Sequence, residues 1–296
     1  MSADLIEQMS DALADRVAAA AASVVAVSAG HRHRSGILWQ PDVVVTSEQC
    51  FGEATAFGVM QAGRRVTATL IGRDPGTNVA ALRLEAPLAC ALPASAPAPR
   101  VGSLALVLGA DAAGAPTGRL AMLHAVGAAW HSLAGGRIDA LLRLDTRLGA
   151  DEGGPVLTPG GGLLGMSTAG PRRRALVIPA ATIAHVLPAL LEHGHVPRGW
   201  LGVGLQPVAV PDSLRGVAGA ETGMLVVSLA DGAPAVLAGI LPGDIVLEVD
   251  GSPVRRARAF AAALGPDRIG QPVAVRLLRG GEERTVSVTI MARPAR

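Results

Sequence analysis

The sequence predicts a mostly β chain in two parts, a large sandwich or barrel followed by a smaller β module. Three observations carry this. From about residue 23 onward, short apolar runs are broken by Gly, Pro and Asp turn signals. The chain has 296 residues, for which a barrel of roughly 200 and a module of about 100 is a natural division. A helical segment then runs into His193-Gly194-His195-Val196-Pro197, which reads as a linker, and the strand pattern restarts after it. The expected domains are an N-terminal amphipathic helix over 1–19, a barrel over 20–193 and a second domain over 194–296.

Element by element, Leu5, Ile6, Met9, Leu13 and Val17 recur at near-helical spacing and predict a helix over 2–18. Ser23-Val24-Val25-Ala26-Val27 reads as a first strand. Further strands are expected at 37–39, 43–46, 66–72, 80–84, 104–108, 141–144, 156–157, 163–168 and 175–178. The Ala/Pro-rich stretch 88–100 reads as a loop. Ile183, Val186, Leu187, Leu190 and Leu191 give 180–193 a helical period, and one further helix is expected near 256–264.

Composition excludes several function classes. Half the residues are apolar, Tyr is absent, and Phe and Trp number three each, so the cores must be aliphatic. A net charge of +2 with so few aromatics supplies neither the field nor the stacking platform of a nucleic-acid binder. Cys50 and Cys90 make no disulfide framework and are expected as small buried hydrophobes. His31-Arg32-His33-Arg34 and Arg172-Arg173-Arg174 read as solvated loops, metal-ligand spacing is absent, and neither a metal nor a cofactor is expected. The apolar run 17–27 is too short to span a bilayer. Asp4, Glu7, Asp11 and Asp15 precede it where a signal peptide carries positive charge. The N-terminus therefore favours a cytoplasmic location, with the periplasm as the alternative.

Three segments carry a family resemblance. The first is Ser35-Gly36-Ile37-Leu38 with Val43-Val44-Val45-Thr46-Ser47-Glu48-Gln49-Cys50. The second is Gly72-Arg73-Asp74-Pro75-Gly76-Thr77-Asn78-Val79-Ala80-Ala81-Leu82. The third is Asp145-Thr146-Arg147-Leu148-Gly149-Ala150-Asp151-Glu152-Gly153-Gly154-Pro155. In order and spacing they resemble the catalytic stretches of HtrA/Deg serine proteases, which implies a chymotrypsin/trypsin-like double β-barrel. The junction Arg198-Gly199-Trp200-Leu201-Gly202-Val203 and the core Gly239-Ile240-Leu241-Pro242-Gly243-Asp244-Ile245-Val246 resemble the circularly permuted bacterial PDZ domain that follows the barrel in this family.

Carried over position by position, the catalytic His slot falls on Gln49, the Asp slot on Asn78 and the nucleophilic Ser slot on Glu152. An acyl-transfer triad needs a nucleophile, a neutral base to take its proton and an anion to orient that base. Gln49 has no pKa near neutrality, Asn78 brings no charge, and Glu152 has no hydroxyl and puts negative charge where an oxyanion must form. The expectation is a pseudoprotease without serine-protease activity. The three side chains are expected to bond one another, Glu152 accepting from the Gln49 amide and the Gln49 carbonyl accepting from the Asn78 amide.

The PDZ resemblance implies that Trp200-Leu201-Gly202-Val203 receives a peptide's terminal carboxylate on backbone N–H groups, with Arg198 beside it. A strand edge opening at Gly204 would take the peptide as an added strand, and Phe260 and Leu264 would form the opposite wall. The implied partners are peptide or protein C-termini, with a homotrimer or a hetero-oligomer with an active homologue as assembly states. The implied role is scaffold, adaptor or regulator. The competing role is an active endopeptidase with an unconventional nucleophile such as Cys50.

Overall fold

The structure, a computed structural model, describes residues 3–132, 134–170 and 174–294, and the chain divides into two compact units, Met1–Val196 and Pro197–Arg296. The first unit opens with α1 (Ala3–Ala20) and continues through β1 (Val24–Ala29), β2 (Arg32–Gln40), β3 (Val43–Ser47), β4 (Ala56–Gln61), β5 (Arg64–Asp74) and β6 (Val79–Leu84). These strands close a barrel in the order β1-β2-β3-β6-β5-β4. A second barrel is built from β7 (Leu104–Ala110), β8 (Pro116–Gly127), β11 (Leu141–Arg147), β12 (Pro155–Leu157), β13 (Leu163–Ala169) and β14 (Arg174–Pro179). Its order is β11-β14-β13-β12-β7-β8, and the ribbon β9 (Trp130–His131) with β10 (Arg137–Ile138) lies between β8 and β11 in sequence. Helix α2 (Ala180–His193) ends the unit's regular structure.

The uninterrupted apolar run of β3 has a packing cause. Val44 points into the first barrel with Val25, Leu38, Val59 and Leu82. Val43 and Val45 point the other way, into a core formed with Ile37, Met166, Ile178 and the α2 residues Ile183, Leu187 and Leu190. Successive side chains of a strand face opposite sides, so a strand buried on both has no polar face to show. This double anchoring holds the residues just after β3 at the seam between the barrels. A second seam core joins Ala20, Val24 and Ala26 to Leu106, Leu108, Leu157 and Leu163.

Two barrel strands were absent from the sequence expectations, β4 and β8, as was the short ribbon of β9 and β10. β4 carries Gly58 at its centre, where a Cβ would come within 2.9 Å of Ser28 Oγ, so close approach keeps the site a glycine and hides the strand period. β8 begins with exposed residues from Pro116 to Leu120, which show no apolar alternation. His33 is also corrected: it lies in β2 opposite Ser28 of β1 rather than in a loop. Cys50 and Cys90 are free and half-buried rather than buried, and the Cys90 thiol donates to the Leu38 carbonyl at 3.2 Å. Arg172 and Arg173 lie outside the described residues, while Arg174 is exposed at the start of β14.

The second unit contains β15 (Gly199–Trp200), β16 (Val203–Ala209), α3 (Arg215–Ala218), β17 (Thr222–Leu229), α4 (Pro234–Leu237), β18 (Ile245–Val249), β19 (Ser252–Pro253), α5 (Ala257–Ala263), β20 (Pro272–Arg279), β21 (Glu282–Thr289) and β22 (Met291–Ala292). Its sheet runs β16-β17-β18-β20-β21, with β19 paired to β18 and β15 paired to β22. Leu201, Met224, Val226, Ile240, Val246, Phe260, Leu264, Val275 and Leu277 form one core. The buried Asp244 carboxylate is matched by both ends of the Arg279 guanidinium at 2.7 Å and by the Leu241 N–H at 2.8 Å. Among the described residues no helix is long and apolar enough to cross a membrane.

Leu190 is fully buried between α2 and the seam. Leu190→Ala is expected to lower the stability of the first unit by about 2–5 kcal/mol. Urea unfolding followed by circular dichroism checks this, and an unchanged midpoint would contradict the packing described.

Candidate functional site

Gln49 sits in the 3-10 turn Glu48–Cys50 that follows β3, at the first barrel's side of the seam. Asn78 ends the turn between β5 and β6 with φ 59, a left-handed conformation that Asn tolerates better than most residues. The two are tied by backbone: Asn78 Oδ1 accepts from the Gln49 N–H at 2.9 Å, and the Asn78 carbonyl accepts from the Glu48 N–H at 3.2 Å. Glu152 comes from the second barrel, in the turn before β12, and is 6% exposed.

The structure brings Gln49, Asn78 and Glu152 together. Gln49 Nε2 donates to Glu152 Oε1 at 2.6 Å and reaches Thr168 Oγ1 at 3.2 Å and the Ala169 carbonyl at 2.9 Å. Glu152 Oε1 also accepts from the Ala169 N–H at 3.0 Å and from Ser47 Oγ at 3.3 Å. The expected bond from the Asn78 amide to the Gln49 carbonyl is not formed. Asn78 Nδ2 donates to Ser47 Oγ at 3.0 Å and to Thr168 Oγ1 instead. Ser47 and Thr168 are both buried, and their oxygens need partners that water cannot supply. These hydroxyls and the Ala169 backbone are the members that sequence reasoning missed. Ser47 adjoins the turn in sequence, whereas Thr168 reaches it only through the pairing of β13.

The loop before β12 is held just as closely. The Asp151 carboxylate accepts from the Gly149 N–H at 2.7 Å and pairs with Arg119 Nε at 3.1 Å. Arg119 Nη1 donates to the Arg147 carbonyl at 2.9 Å. Ser35 Oγ donates to the Ala150 carbonyl at 2.8 Å. The Glu152 N–H turns to the Gly149 carbonyl at 3.3 Å, so it is engaged inside the loop. Gly153 has φ 93, and a Cβ there would lie 2.2 Å from the Ser35 carbonyl oxygen, so only glycine fits beside Glu152.

Cys50 lies against this network. Burial, and then the Glu152 carboxylate, push its thiol up to about 12. Near neutrality it stays a thiol, the form that does not attack. Among the described residues no cluster of three or more His, Cys, Asp or Glu could hold a metal ion.

In the second unit, Leu201, Phe260 and Leu264 are buried in the core, and Leu264 lies just beyond α5. Trp200 is half-buried in β15, opposite Met291. Gly202 has φ 77, and a Cβ would meet Ala233 Cβ at 2.1 Å and the Trp200 ring at 3.0 Å. The Gly202 carbonyl accepts from the Ala230 N–H at 2.8 Å and the Leu201 carbonyl from the Ala235 N–H at 3.0 Å. Arg198 is half-buried, and its carbonyl accepts from the Arg293 N–H at 2.8 Å. Val203 and Gly204 open β16, one of the two edge strands of the sheet, which contacts α5.

Two closed six-stranded barrels with a polar constellation at their seam, and a separate five-stranded sheet with one added strand, define a trypsin-like peptidase fold followed by a PDZ-type domain. The family model for the trypsin-like peptidase domain matches residues 34–166, and that for the PDZ domain matches 199–290. A probable periplasmic serine endoprotease, DegP-like, of Rhizobium meliloti is 31% identical over 264 residues, covering 85% of this chain and 51% of the relative. Its counterpart in Brucella suis is 28% identical over 269 residues, covering 87% and 52%. The chain thus spans about half the length of the curated relatives it matches. The HtrA-type protease AlgW with decapeptide superposes with a TM-score of 0.76 at 22% identity, covering 96% of this chain and 99% of that one, a likeness of fold. The chain belongs to the HtrA/Deg family.

The relatives correct the expected compartment. They are periplasmic proteins by name, which points to the periplasm rather than the cytoplasm. The charge of an N-terminal stretch bears only on whether that stretch is a leader. Leu13 and Val17 of α1 pack onto the seam core, while Leu5, Ile6 and Met9 are exposed.

Two outcomes follow from the network. Gln49→Ala removes a donor from the buried Glu152 carboxylate and is expected to destabilise the first unit by about 1–3 kcal/mol, read from thermal or urea unfolding. Alkylation of Cys50 by iodoacetamide at pH 8 is expected to be slower than that of a free thiol by on the order of 10³-fold. Its rate should still rise about tenfold per pH unit at pH 10, and Glu152→Gln should speed it by removing the neighbouring charge. A native rate equal to that of a free thiol would contradict the environment described.

Proposed function

We propose that this chain is a non-catalytic member of its family that binds peptide or protein C-termini through its PDZ groove and acts as a scaffold, adaptor or regulator. The reading assigns 20–193 to the barrel domain and 194–296 to the peptide-binding domain. The observation that carries it is the bond from Gln49 Nε2 to Glu152 Oε1 at 2.6 Å, within a set that holds neither an imidazole base nor a hydroxyl at the nucleophile's position. A substrate carbonyl at this seam would meet a carboxylate instead of a hydroxyl, and the Glu152 N–H is already directed to Gly149. Losing triad members leaves roughly 10³- to 10⁴-fold enhancement over water, too little for useful peptide hydrolysis.

The competing reading, an endopeptidase with an unconventional nucleophile, would rest on Cys50. Against it stands a thiol pushed up to about 12 by burial and then by the Glu152 carboxylate, which outweigh the nearby Arg34, with no imidazole among its charged neighbours. A groove that accepts C-termini gives a protein of this kind a role without hydrolysis. A homotrimer, or a hetero-oligomer with an active homologue, would place that groove beside other copies or beside a working protease.

The purified chain is expected to show no casein turnover and no fluorophosphonate labelling. It is expected to bind fluorescein-labelled peptides with apolar C-terminal residues, and amidation of the terminal carboxylate should abolish binding. Turnover that is lost on Cys50→Ala or Glu152→Ala would overturn the reading in favour of the hydrolase.

A further inference from the structure

The backbone of β16 carries a feature that bears on what the groove can read. The strand pairs with β17 on one side and is otherwise an open edge of the sheet. In an antiparallel pair, residues alternate between those that bond their partner and those whose N–H and C=O point outward. The register decides which are which. Leu205 lies opposite Val226. Val226 spends its own main chain on the far side, its N–H donating to the Asp244 carbonyl at 2.8 Å and its carbonyl accepting from the Gly243 N–H at 2.9 Å. Leu205 is therefore in a non-bonded pair, and its N–H and C=O face the open edge. The flanks agree: the Gly202 carbonyl accepts from Ala230, and the Val210 N–H donates to the Glu221 carbonyl, so 202 and 210 face inward. The outward set is Val203, Leu205, Pro207 and Ala209.

Pro207 has no N–H, and its ring carbon stands where the donor would be. The edge thus offers donors at Val203 and Leu205, and the run of donors breaks at the third outward position. Proline on an edge strand with its nitrogen to the open side is also a known guard against unwanted strand pairing.

We infer that Pro207 sets how much of a peptide this groove reads, limiting recognition to the last four residues of a C-terminus. This rests on the peptide-binding reading above. A carboxylate held at Leu201-Gly202 places the terminal residue opposite Val203 and the third residue from the end opposite Leu205. The fifth from the end falls opposite Pro207, where its carbonyl finds no donor. Two ladder positions plus the carboxylate carry the main-chain affinity, the fourth residue adds side-chain contact alone, and the fifth can offer no more than its N–H to the Pro207 carbonyl. Pro207 is a specificity-determining residue, and the ligand class is any free C-terminus with an apolar end, largely blind to the sequence before it.

The test uses the full chain and fluorescence anisotropy with N-terminally fluorescein-labelled peptides of three to eight residues sharing one Val-terminated end. Affinity is expected to rise from three residues to four and to stay within about twofold beyond. In Pro207→Ala, the step from four residues to five is expected to gain roughly two- to tenfold, the worth of one restored hydrogen bond. Affinity that keeps climbing to eight residues in the native chain would overturn the inference. So would the absence of that gain in a variant whose circular dichroism and thermal midpoint are native. If Pro207→Ala does not fold, the native length series still decides. Failure of every peptide at every length would instead remove the peptide-binding reading, and the inference with it.

Discussion

A carboxylate buried at the seam of two barrels has to be matched, and the way Glu152 is matched organises the rest of the first unit. Its Oε1 takes donors from the end of β3, through Gln49 and Ser47, and from the end of β13, through Ala169. Leaving a buried charge without such partners is costly, so the residue at 152 constrains those at 47, 49 and 169. Gln49 suits the position because an amide nitrogen donates without titrating. Asn78 completes the set from below by bonding the two hydroxyls that Gln49 and Glu152 also touch. The side chains at 49, 78 and 152 are thus parts of one network. Gly153 and the Ser35, Ser167 and Arg119 contacts keep the loop in place around it.

Much of this was legible before folding. The run from Val43 to Val45 marked a doubly buried strand, and the period of Ile183, Leu187 and Leu190 marked the helix that covers it. The contact between Gln49 and Glu152 followed from motif positions and the need to pair buried polar atoms. What remained hidden has physical reasons. β4 and β8 escaped because Gly58 adds no side chain to the period of β4 and the exposed start of β8 erases the alternation on which strand reading depends. The true partners of Asn78 escaped because Thr168 is brought to Asn78 only by barrel closure, and a Ser or Thr in an apolar strand gives no sign of what it bonds. The compartment was misjudged because the acidic charge of residues 4–15 was read as evidence of location.

In the second unit, too, what the module can do is written in main-chain directions more than in side chains. Gly202 fits where any Cβ would strike Ala233, and buried Leu201, Phe260 and Leu264 form a floor and core rather than an exposed wall. The outward groups of β16 are the ones that the proposed peptide pairing would use. The barrel meets its buried carboxylate with neutral donors, and the proposed recognition of chain ends rests on the open edge of β16.

The most direct test of the account is to restore the proton path. The triple variant Gln49→His, Asn78→Asp, Glu152→Ser keeps the backbone that places the three side chains together and returns a base, an anion and a hydroxyl to it. Fluorophosphonate labelling of this variant, with the native chain unlabelled, is the result the account predicts. A triple variant with native circular dichroism and thermal stability that remains unlabelled, or a native chain that labels as well as the variant does, would contradict it.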